Sequence, residues 1–220
     1  MVRLPTIVSA PKKKFYVVWE GKTPGVYRSW AECQAVIRGH PGAKFKSFPT
    51  LDSANVAYEE GATEYWGTGK FVSGLPPETL ALVGDPVADS LCVDAALNAD
   101  TKVLEYRGVW YRDRSIVFQQ GPFESDTVNV GEFLAIVHAL GFLTQQSLGS
   151  AIYTDSRTAM AWVRKKAVKS KSMEAGQTDE KLRELVTRAL RWLENNAYRN
   201  EILKWESAAW GENPADYGRK

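Results

Sequence analysis

Short runs of aromatic and β-branched residues alternate with turn residues and polar segments over residues 13–60, a pattern typical of a small α+β domain. In chain order the pattern predicts a strand at 14–21, a strand at 26–30, a helix at 31–39, a strand at 45–50 and a helix at 52–60. Asp52 or Ser53 is the expected N-cap of the second helix. Residues 1–12 are interpreted as an N-terminal tail, and 61–88, richer in Gly, Pro and acidic residues, as a linker.

The hydrophobic pattern changes at residue 89, where a second domain, 89–220, is predicted to begin. Its predicted strands lie at 91–94, 101–111, 114–120, 151–155 and 201–207, and its predicted helices at 132–143, 157–167 and 179–195. Thr178 is the expected N-cap of the last helix. Three consecutive strands followed by alternating helices and strands predict an α/β fold: a mixed five-stranded sheet with helices on its faces.

Composition narrows the classes of protein that fit. Hydrophobic residues make up 44% of the chain, enough for a packed core, and no apolar run approaches the ~20 residues of a membrane helix. The first residues lack an apolar core with a cleavage site, so no secretory signal is expected. The two cysteines are distant in sequence, which favours a reducing, cytoplasmic setting. Net charge is +4 over residues 1–60, −3 over 61–90 and +1 over 91–220, so the basic N-terminal domain suits a polyanionic partner.

Four acidic residues occupy positions that a purely structural role explains poorly. Asp94 and Asp155 each end a predicted strand, Glu132 begins an apolar helix, and Asp216 lies in the final segment. Carboxylates that converge repel one another unless divalent cations neutralise them, and an all-oxygen set suits Mg²⁺ or Mn²⁺. Two such ions are a known arrangement for phosphodiester cleavage. Each acid taken alone also fits a helix cap or a surface position, so the spacing by itself leaves both interpretations open.

Longer motifs around these acids resemble the type 1 ribonuclease H family. The motifs are VDAA (93–96), NVGEFLAIVHAL (129–140), IYTDSRTAMAWV (152–163) and LKWESAAWGENPADYGRK (203–220). They follow the order of the family over about 130 residues, and the acids are separated by 38, 23 and 61 residues, as in the family. The final motif is similar to a bacterial subgroup with the same ending.

The resemblance implies an endonuclease that hydrolyses the RNA strand of RNA–DNA hybrids and leaves 5′-phosphate and 3′-hydroxyl ends. It implies that two Mg²⁺ ions, for which Mn²⁺ can substitute, are bound by Asp94, Glu132, Asp155 and Asp216. Glu212 matches an acid that assists catalysis in this subgroup through metal handling and product release. The fold implied is the ribonuclease H-like one.

Contacts with nucleic acid also follow from the resemblance. Asn129 and Arg157 match residues that read RNA through its 2′-hydroxyls and base edges. Thr127 and Ser207 match hydroxyls that hold a DNA phosphate. Trp162 matches an aromatic residue that packs on the DNA strand, although core packing explains a Trp there equally well. The basic run 164–171, RKKAVKSK, suits a phosphate backbone, with a solvated loop as the alternative.

One feature departs from the family pattern. The first acid is usually followed by a Gly-rich loop, whereas residues 95–100 read AALNAD. Without glycine the main chain is expected to approach the RNA less closely, which affects substrate contacts rather than the metal site.

The N-terminal domain resembles the hybrid-binding domain of many ribonucleases H1 and of some viral inclusion-body proteins, over about 45 residues. Tyr16, Trp30 and Phe45 are expected to stack on sugar faces, and Lys46 to reach phosphates. The resemblance implies binding of RNA–DNA hybrid and, more weakly, of double-stranded RNA. Ser47 stands where a second Lys is common.

Two other functions fit parts of the sequence less well. A binding protein that has lost catalysis is disfavoured because all four acids are present. An integrase or resolvase would have other acid spacing and would lack the final motif. The chain is expected to act as a monomer without a membrane partner.

Overall fold

The computed structural model describes residues 13–66, 71–170 and 179–218. The chain divides into two compact units, residues 1–82 and 83–220. The predicted N-terminal tail and the predicted cap Thr178 lie outside the described residues.

The first unit contains a three-stranded antiparallel sheet in the order β2-β1-β3. Its elements are β1 (Phe15–Glu20), β2 (Gly25–Tyr27), α1 (Trp30–Ile37), β3 (Lys44–Phe48), α2 (Leu51–Glu60) and α3 (Ala62–Tyr65). The predicted order of strand, strand, helix, strand, helix is confirmed. Val17 and Phe48 pack with Ala54 and Ala57 of α2, so the helix covers one face of the sheet.

Helix caps explain two differences from the predicted boundaries. Trp30 was predicted to end a strand but begins α1, because Ser29 and Glu32 form a capping box that starts the helix there. Thr50, rather than Asp52 or Ser53, is the N-cap of α2, and its hydroxyl oxygen accepts a hydrogen bond from the Ser53 N–H.

The segment interpreted as a linker contains two short helices, α3 and α4 (Pro77–Val83). Tyr65 of α3 is buried in the core of the first unit, and Val72 packs against the same core. The Tyr65 hydroxyl donates a hydrogen bond to Glu60, which raises the pKa of Tyr65 to about 12. Part of the predicted linker, residues 61–88, therefore belongs to the N-terminal unit.

The second unit is built on a five-stranded sheet in the order β6-β5-β4-β7-β8. Its strands are β4 (Ser90–Leu97), β5 (Val103–Trp110), β6 (Ile116–Glu124), β7 (Ala151–Thr154) and β8 (Ile202–Lys204). The pairs β4–β5 and β5–β6 are antiparallel, and β4–β7 and β7–β8 are parallel. The predicted fold class, a mixed five-stranded sheet with flanking helices plus a small α+β N-terminal domain, is confirmed.

Helices α5 (Val128–Gln145), α6 (Arg157–Lys165) and α7 (Glu180–Asn195) contribute to the main core of this unit. The side chain of Asp179 caps α7 by accepting a hydrogen bond from the Lys181 N–H. By length and hydropathy α5 could cross a membrane, but more than half of it is buried against the sheet and its neighbouring helices. Its apolar character is therefore accounted for by its place in the core.

A smaller cluster on the sheet is formed by residues of the central strands and the C-terminal segment. Its buried members are Cys92, Val109, Tyr153, Trp205 and Ala215. The short helix α8 (Ser207–Trp210), which the hydrophobic pattern did not predict, adds Trp210 to this cluster. The final segment is thus packed on the strands that carry two of the candidate acids.

Gly131 allows the first turn of α5 to approach the centre of the sheet closely. A Cβ atom at this position would lie 2.8 Å from both the Ala95 Cβ and the Leu104 Cδ1. The adjacent residue is Glu132, so this contact sets how near that carboxylate comes to β4. Gly141, further along the same helix, is different, since a Cβ there would lie 4.0 Å from the nearest atoms, in the Trp192 ring.

We expect Gly131→Ala to lower the free energy of unfolding by about 1–3 kcal/mol, because the added methyl group forces α5 away from the sheet. Gly141→Ala is the matched control and should raise stability by up to about 1 kcal/mol through helix propensity alone. Urea denaturation of both variants measures the difference. Equal stability of the two variants would contradict the close approach.

Candidate metal centre and nucleic-acid surfaces

The parallel pairing of β4 with β7 places two of the predicted acids side by side. Cys92 pairs with Tyr153 in this ladder, so the same register extended by two residues brings Asp94 opposite Asp155. Asp94 lies within β4 and is buried, whereas Asp155 follows the last residue of β7 and is exposed. The two carboxylates therefore combine a rigid buried position with one that is open to solvent.

Glu132 reaches the same place from the first part of α5. One carboxylate oxygen from each of Asp94, Glu132 and Asp155 lies within 4.8 Å of the others. The structure thus brings together three of the four acids that the sequence predicted to converge.

Burial and like charge act together on Asp94. Only 8% of its surface is exposed, and its pKa is raised from 3.8 to about 8. Burial is the largest cause, followed by the charge of Asp155, with smaller contributions from Asp216 and Glu132. Without a cation nearby, burial and like charge therefore favour the protonated form of this carboxyl.

Glu132 has one satisfied and one unsatisfied oxygen. Burial raises its pKa, and a hydrogen bond with the Ser156 side chain opposes that shift. Its Oε2 is buried and has no hydrogen-bond partner among the described residues. Ser156 is also the N-cap of α6, where its oxygen accepts the Ala159 N–H. The contact between Ser156 and Glu132 was not predicted from the sequence, although Ser156 directly follows the predicted ligand Asp155.

Asp216 lies outside the group of three, but its charge contributes to the raised pKa of Asp94. Its Oδ1 accepts a hydrogen bond of 2.7 Å from the Gly218 N–H, and its own N–H donates to the Asn213 carbonyl at 2.8 Å. Glu212 is exposed on the same segment and is not part of the group of three. The structure therefore places Asp216 near the centre and leaves Glu212 at the solvent boundary.

These residues fit a hard divalent cation. The donors are carboxylate oxygens without His or Cys, which is the set that Mg²⁺ and Mn²⁺ prefer. The unsatisfied Oε2 of Glu132 and the raised pKa of Asp94 are both costs that a bound cation would remove. Ions held here would contact Asp94, Glu132 and Asp155, with Asp216 able to join.

Where the related family has a Gly-rich loop, this chain continues β4. Ala95, Ala96 and Leu97 pair with Tyr106, Glu105 and Leu104 of β5. The turn follows at Asn98, whose side chain accepts the N–H groups of Asp100 and Thr101 at 3.0 Å each. The strand thus extends three residues beyond Asp94, which agrees with the absence of glycine.

Two of the predicted nucleic-acid contacts lie at the start of α5. Thr127 is the N-cap and accepts a hydrogen bond from the Asn129 N–H. Both residues are half-buried and precede Glu132 by one turn or slightly more. Ser207, the first residue of α8, is exposed on the C-terminal segment.

Arg157 and Trp162 line a shared cavity of about 310 Å³ together with Lys165 and Lys169. Trp162 is only 9% exposed and its ring meets the Phe133 ring edge to face at 6.4 Å. Its ring therefore belongs to the core and also forms part of the cavity wall, so the two interpretations of this residue are compatible. The run 164–171 begins in α6 and continues past it, and Lys171 lies outside the described residues.

On the N-terminal unit, three of the predicted contact residues form one aromatic patch: Tyr16, Trp30 and Phe45. The Trp30 ring lies 5.5 Å from Tyr16 and 5.8 Å from Phe45, and 44% of Trp30 is exposed. An exposed row of rings of this kind is suited to stacking.

Lys46 lies on the opposite face of that sheet. Successive side chains of a strand point to opposite faces, and Lys46 pairs with the buried Val17 whereas Tyr16 pairs with Ser47. The Lys46 ammonium donates a hydrogen bond to the Tyr65 carbonyl at 3.2 Å. The side chain of Lys46 therefore lies apart from the aromatic patch.

Comparison with known proteins finds a family match within the N-terminal unit. Residues 14–58 match the ribonuclease H1 N-terminal domain. A ribonuclease H from Crithidia fasciculata is 34% identical over 82 residues, 37% of this chain and 16% of that protein. Ribonuclease H1 from Mus musculus is 48% identical over 40 residues, 18% of this chain and 14% of that protein. The matched segments thus span less than a fifth of either relative.

Two solved structures are similar at low identity. The N-terminal ribonuclease H domain of a Mycobacterium tuberculosis protein is 16% identical with a TM-score of 0.35, and covers 55% of this chain and 92% of its own. Ribonuclease H1 from Halobacterium salinarum is 18% identical with a TM-score of 0.34, and covers 54% and 86%. The fold class rests on the strand order and register rather than on these likenesses. The sequence matches confirm similarity to type 1 ribonucleases H that carry this N-terminal domain.

The raised pKa of Asp94 predicts how Asp94→Asn changes stability in EDTA. Because the folded-state pKa of about 8 exceeds the ordinary 3.8, the unfolded chain releases this proton first, so the wild type loses stability progressively as pH rises from about 4 to 8, and the loss is complete above 8. The variant, which has no such proton to release, should therefore match wild type near pH 4 and exceed it by up to about 6 kcal/mol at pH 9, at ~1.4 kcal/mol per pKa unit.

Saturating Mg²⁺ should reverse this order above pH 7, because only the wild type retains the full carboxylate set. Denaturant unfolding at several pH values, with Mg²⁺ or EDTA, measures both effects, and Asp100→Asn in an exposed turn is the control. A variant less stable than wild type in EDTA at pH 9 would contradict the assigned environment of Asp94.

Proposed function

We propose that this chain, which is similar to type 1 ribonucleases H, is a metal-dependent endonuclease that hydrolyses the RNA strand of RNA–DNA hybrids. The observation that carries the proposal is the convergence of Asp94, Glu132 and Asp155 on adjacent rigid elements. Relatives named ribonuclease H and ribonuclease H1 support the same activity.

The proposed cofactor is a pair of Mg²⁺ ions, with Mn²⁺ as a substitute, held by Asp94, Glu132, Asp155 and Asp216. When bound, such ions activate the attacking water and neutralise charge on the scissile phosphate. The chain itself supplies placement: β4 and β7 fix Asp94 and Asp155, and Ser156 orients Glu132. Cleavage is proposed to leave 5′-phosphate and 3′-hydroxyl ends, with Glu212 assisting release of product from its exposed position.

Selection of the RNA strand is assigned to groups beside these acids. Asn129 lies one turn before Glu132 on α5, and Arg157 begins α6 two residues after Asp155. Both are proposed to contact 2′-hydroxyls near the reacting phosphate, because such contacts distinguish RNA from DNA at a given position. Thr127 and Ser207 are proposed to hold a DNA phosphate.

The DNA strand is proposed to follow the cavity beside Trp162. Lys165 and Lys169 line this cavity and supply positive charge, while the indole offers an apolar surface. Neutralising phosphates with Lys and Arg releases condensed counterions, so binding through this surface should weaken as salt concentration rises.

The N-terminal unit is proposed to bind the hybrid through its aromatic patch and, more weakly, double-stranded RNA. The net charge of +4 over residues 1–60 favours any polyanionic duplex, whereas the neighbouring rings of Tyr16, Trp30 and Phe45 are proposed to supply the contact with sugars. Since both units are on one chain, binding by one raises the local concentration of substrate at the other. The active species is proposed to be a monomer.

The first test is cleavage of end-labelled RNA that is paired to DNA, paired to RNA or single-stranded, with Mg²⁺ or EDTA. Only the hybrid should be cut, and only with metal. Asp155→Asn should lower kcat by more than about 100-fold, beyond the loss typical of residues that merely support metal ligands, while hybrid affinity stays close to wild type. Retained cleavage by this variant would refute the site, and hybrid binding without cleavage by wild type would favour a binding protein.

The aromatic patch is tested by Trp30→Ala, because Trp30 contacts both other rings. Loss of one stacking residue should weaken hybrid binding by about 1–3 kcal/mol and slow cleavage of long hybrids more than short ones. Tyr58→Ala removes an aromatic residue that is 40% exposed on α2 and serves as the control. Equal effects on long and short hybrids would contradict the role of the patch.

A further inference from the structure

The C-terminal segment that carries Asp216 is attached to the sheet by side chains for which the sequence predicted no role. Arg107 of β5 donates hydrogen bonds from Nε to the Ala215 carbonyl at 2.8 Å and from a terminal nitrogen to the Asp216 carbonyl at 2.5 Å. Its guanidinium also lies 4.4 Å from the centre of the Tyr217 ring. One side chain thus contacts three consecutive residues of the segment.

Arg107 is also the direct cross-strand neighbour of Asp94. The two residues pair in the β4–β5 ladder, so their side chains leave the sheet on the same face. An arginine there could have neutralised the adjacent carboxylate. Two of its nitrogens are instead bonded to main-chain carbonyl oxygens of the C-terminal segment.

Asn213 provides a second attachment between the same partners. Its Nδ2 donates to the Val93 carbonyl at 3.0 Å, next to Asp94, and its Oδ1 accepts the Ala215 N–H at 2.9 Å. The side chain is 5% exposed, so both bonds are shielded from water. Asp216 is therefore attached to β4 through Asn213 and to β5 through Arg107.

The N–H, the carbonyl and the carboxylate of Asp216 all form hydrogen bonds. Its N–H donates to Asn213, its carbonyl accepts from Arg107, and its carboxylate accepts from the Gly218 N–H. These hydrogen bonds are not needed to bury the segment, since Ala215 and Trp205 already pack it against the sheet. The additional bonds restrict the position of one carboxylate.

We propose that Arg107 is a positioning residue that, together with Asn213, sets the distance of the Asp216 carboxylate from Asp94 and so determines the affinity of the centre for its second divalent cation. This inference rests on the proposed function for the identity of the ligand. It assigns Arg107 no contact with substrate.

The three contacts of Arg107 require the branched, planar shape of a guanidinium group. A planar group with several donors can bond two adjacent carbonyls while it stacks on a ring. A lysine ammonium keeps the positive charge but cannot do all three at once. Arg107→Lys therefore separates charge from geometry, and Arg107→Ala removes both.

Mn²⁺ binding to the full chain without nucleic acid, followed by electron paramagnetic resonance, is the first readout. Wild type should bind two ions. Arg107→Ala should bind the weaker one about 10–100-fold less tightly, the loss typical of residues that support metal ligands, and Arg107→Lys should fall between. Hydrogen exchange at the amides of residues 215–218 should accelerate in the same order.

Cleavage adds a third readout. The Mg²⁺ concentration for half-maximal rate should rise in Arg107→Ala, with the KM for hybrid unchanged. Arg112→Ala is the matched control, because Arg112 lies 4.4 Å from the Trp110 ring and pairs with the exposed Asp89. It should match wild type in ion binding, exchange and Mg²⁺ dependence.

The outcomes separate the two proposals. If wild type does not cut hybrid, the proposed function fails, but Mn²⁺ binding and exchange still test Arg107. Arg107→Ala with wild-type ion affinity would overturn the inference, as would an Arg107→Lys variant that equals wild type, since charge alone would then suffice. Should Arg107→Ala fail to fold, Arg107→Lys, which preserves charge and most of the volume, decides the question.

Discussion

The parallel register between β4 and β7 is the constraint on which the candidate centre depends. It places Asp94 and Asp155 opposite each other at the centre of the sheet. A shift of one residue would turn one of the two side chains to the other face, because side chains alternate along a strand. Glu132 can join them only because Gly131 lets α5 lie against Ala95. The site is therefore a product of strand pairing and of one close helix–sheet contact.

This arrangement opposes the electrostatics of the isolated chain. Two unit charges about 4 Å apart repel by about 4 kcal/mol at an effective dielectric constant of 20. The pKa of Asp94 is raised mainly by burial, and this repulsion adds to the shift. The large core shared by the sheet, α5, α6 and α7 holds the acids in place nevertheless. The empty centre raises the free energy of the folded state, so a bound cation stabilises the fold strongly. Packing in the core and affinity for metal are therefore linked.

The sequence was informative wherever local pattern decides the outcome. Asp155 could be placed at a strand end because an apolar run precedes it, and the predicted mixed sheet is confirmed. The predicted strand end at Asp94 is wrong, because β4 continues to Leu97 in register with β5. The motif resemblance, rather than periodicity, selected these acids from the other carboxylates. Trp30 was misplaced because a capping box outweighed its strand-like neighbours. Helix starts depend on a few specific hydrogen bonds, which hydrophobic pattern does not record.

Features that depend on tertiary contacts could not be predicted. Lys46 and Phe45 are adjacent in sequence, but strand alternation turns them to opposite faces, and the main-chain carbonyl of Tyr65, from a segment interpreted as a linker, accepts a hydrogen bond from the Lys46 ammonium. Ser156 meets Glu132 only because α6 begins beside α5 in space. Contacts of this kind join residues that lie far apart in the chain, and no spacing rule reveals them.

Arg107 is a positive side chain that lies next to Asp94 without neutralising its carboxylate. A guanidinium bonded to a carboxylate would compete with a cation for that ligand, because both need the same oxygen lone pairs. Main-chain carbonyls satisfy the arginine donors without using any carboxylate oxygen. The carboxylate oxygens of the acids therefore stay available to a cation, although Arg107 is the cross-strand neighbour of Asp94.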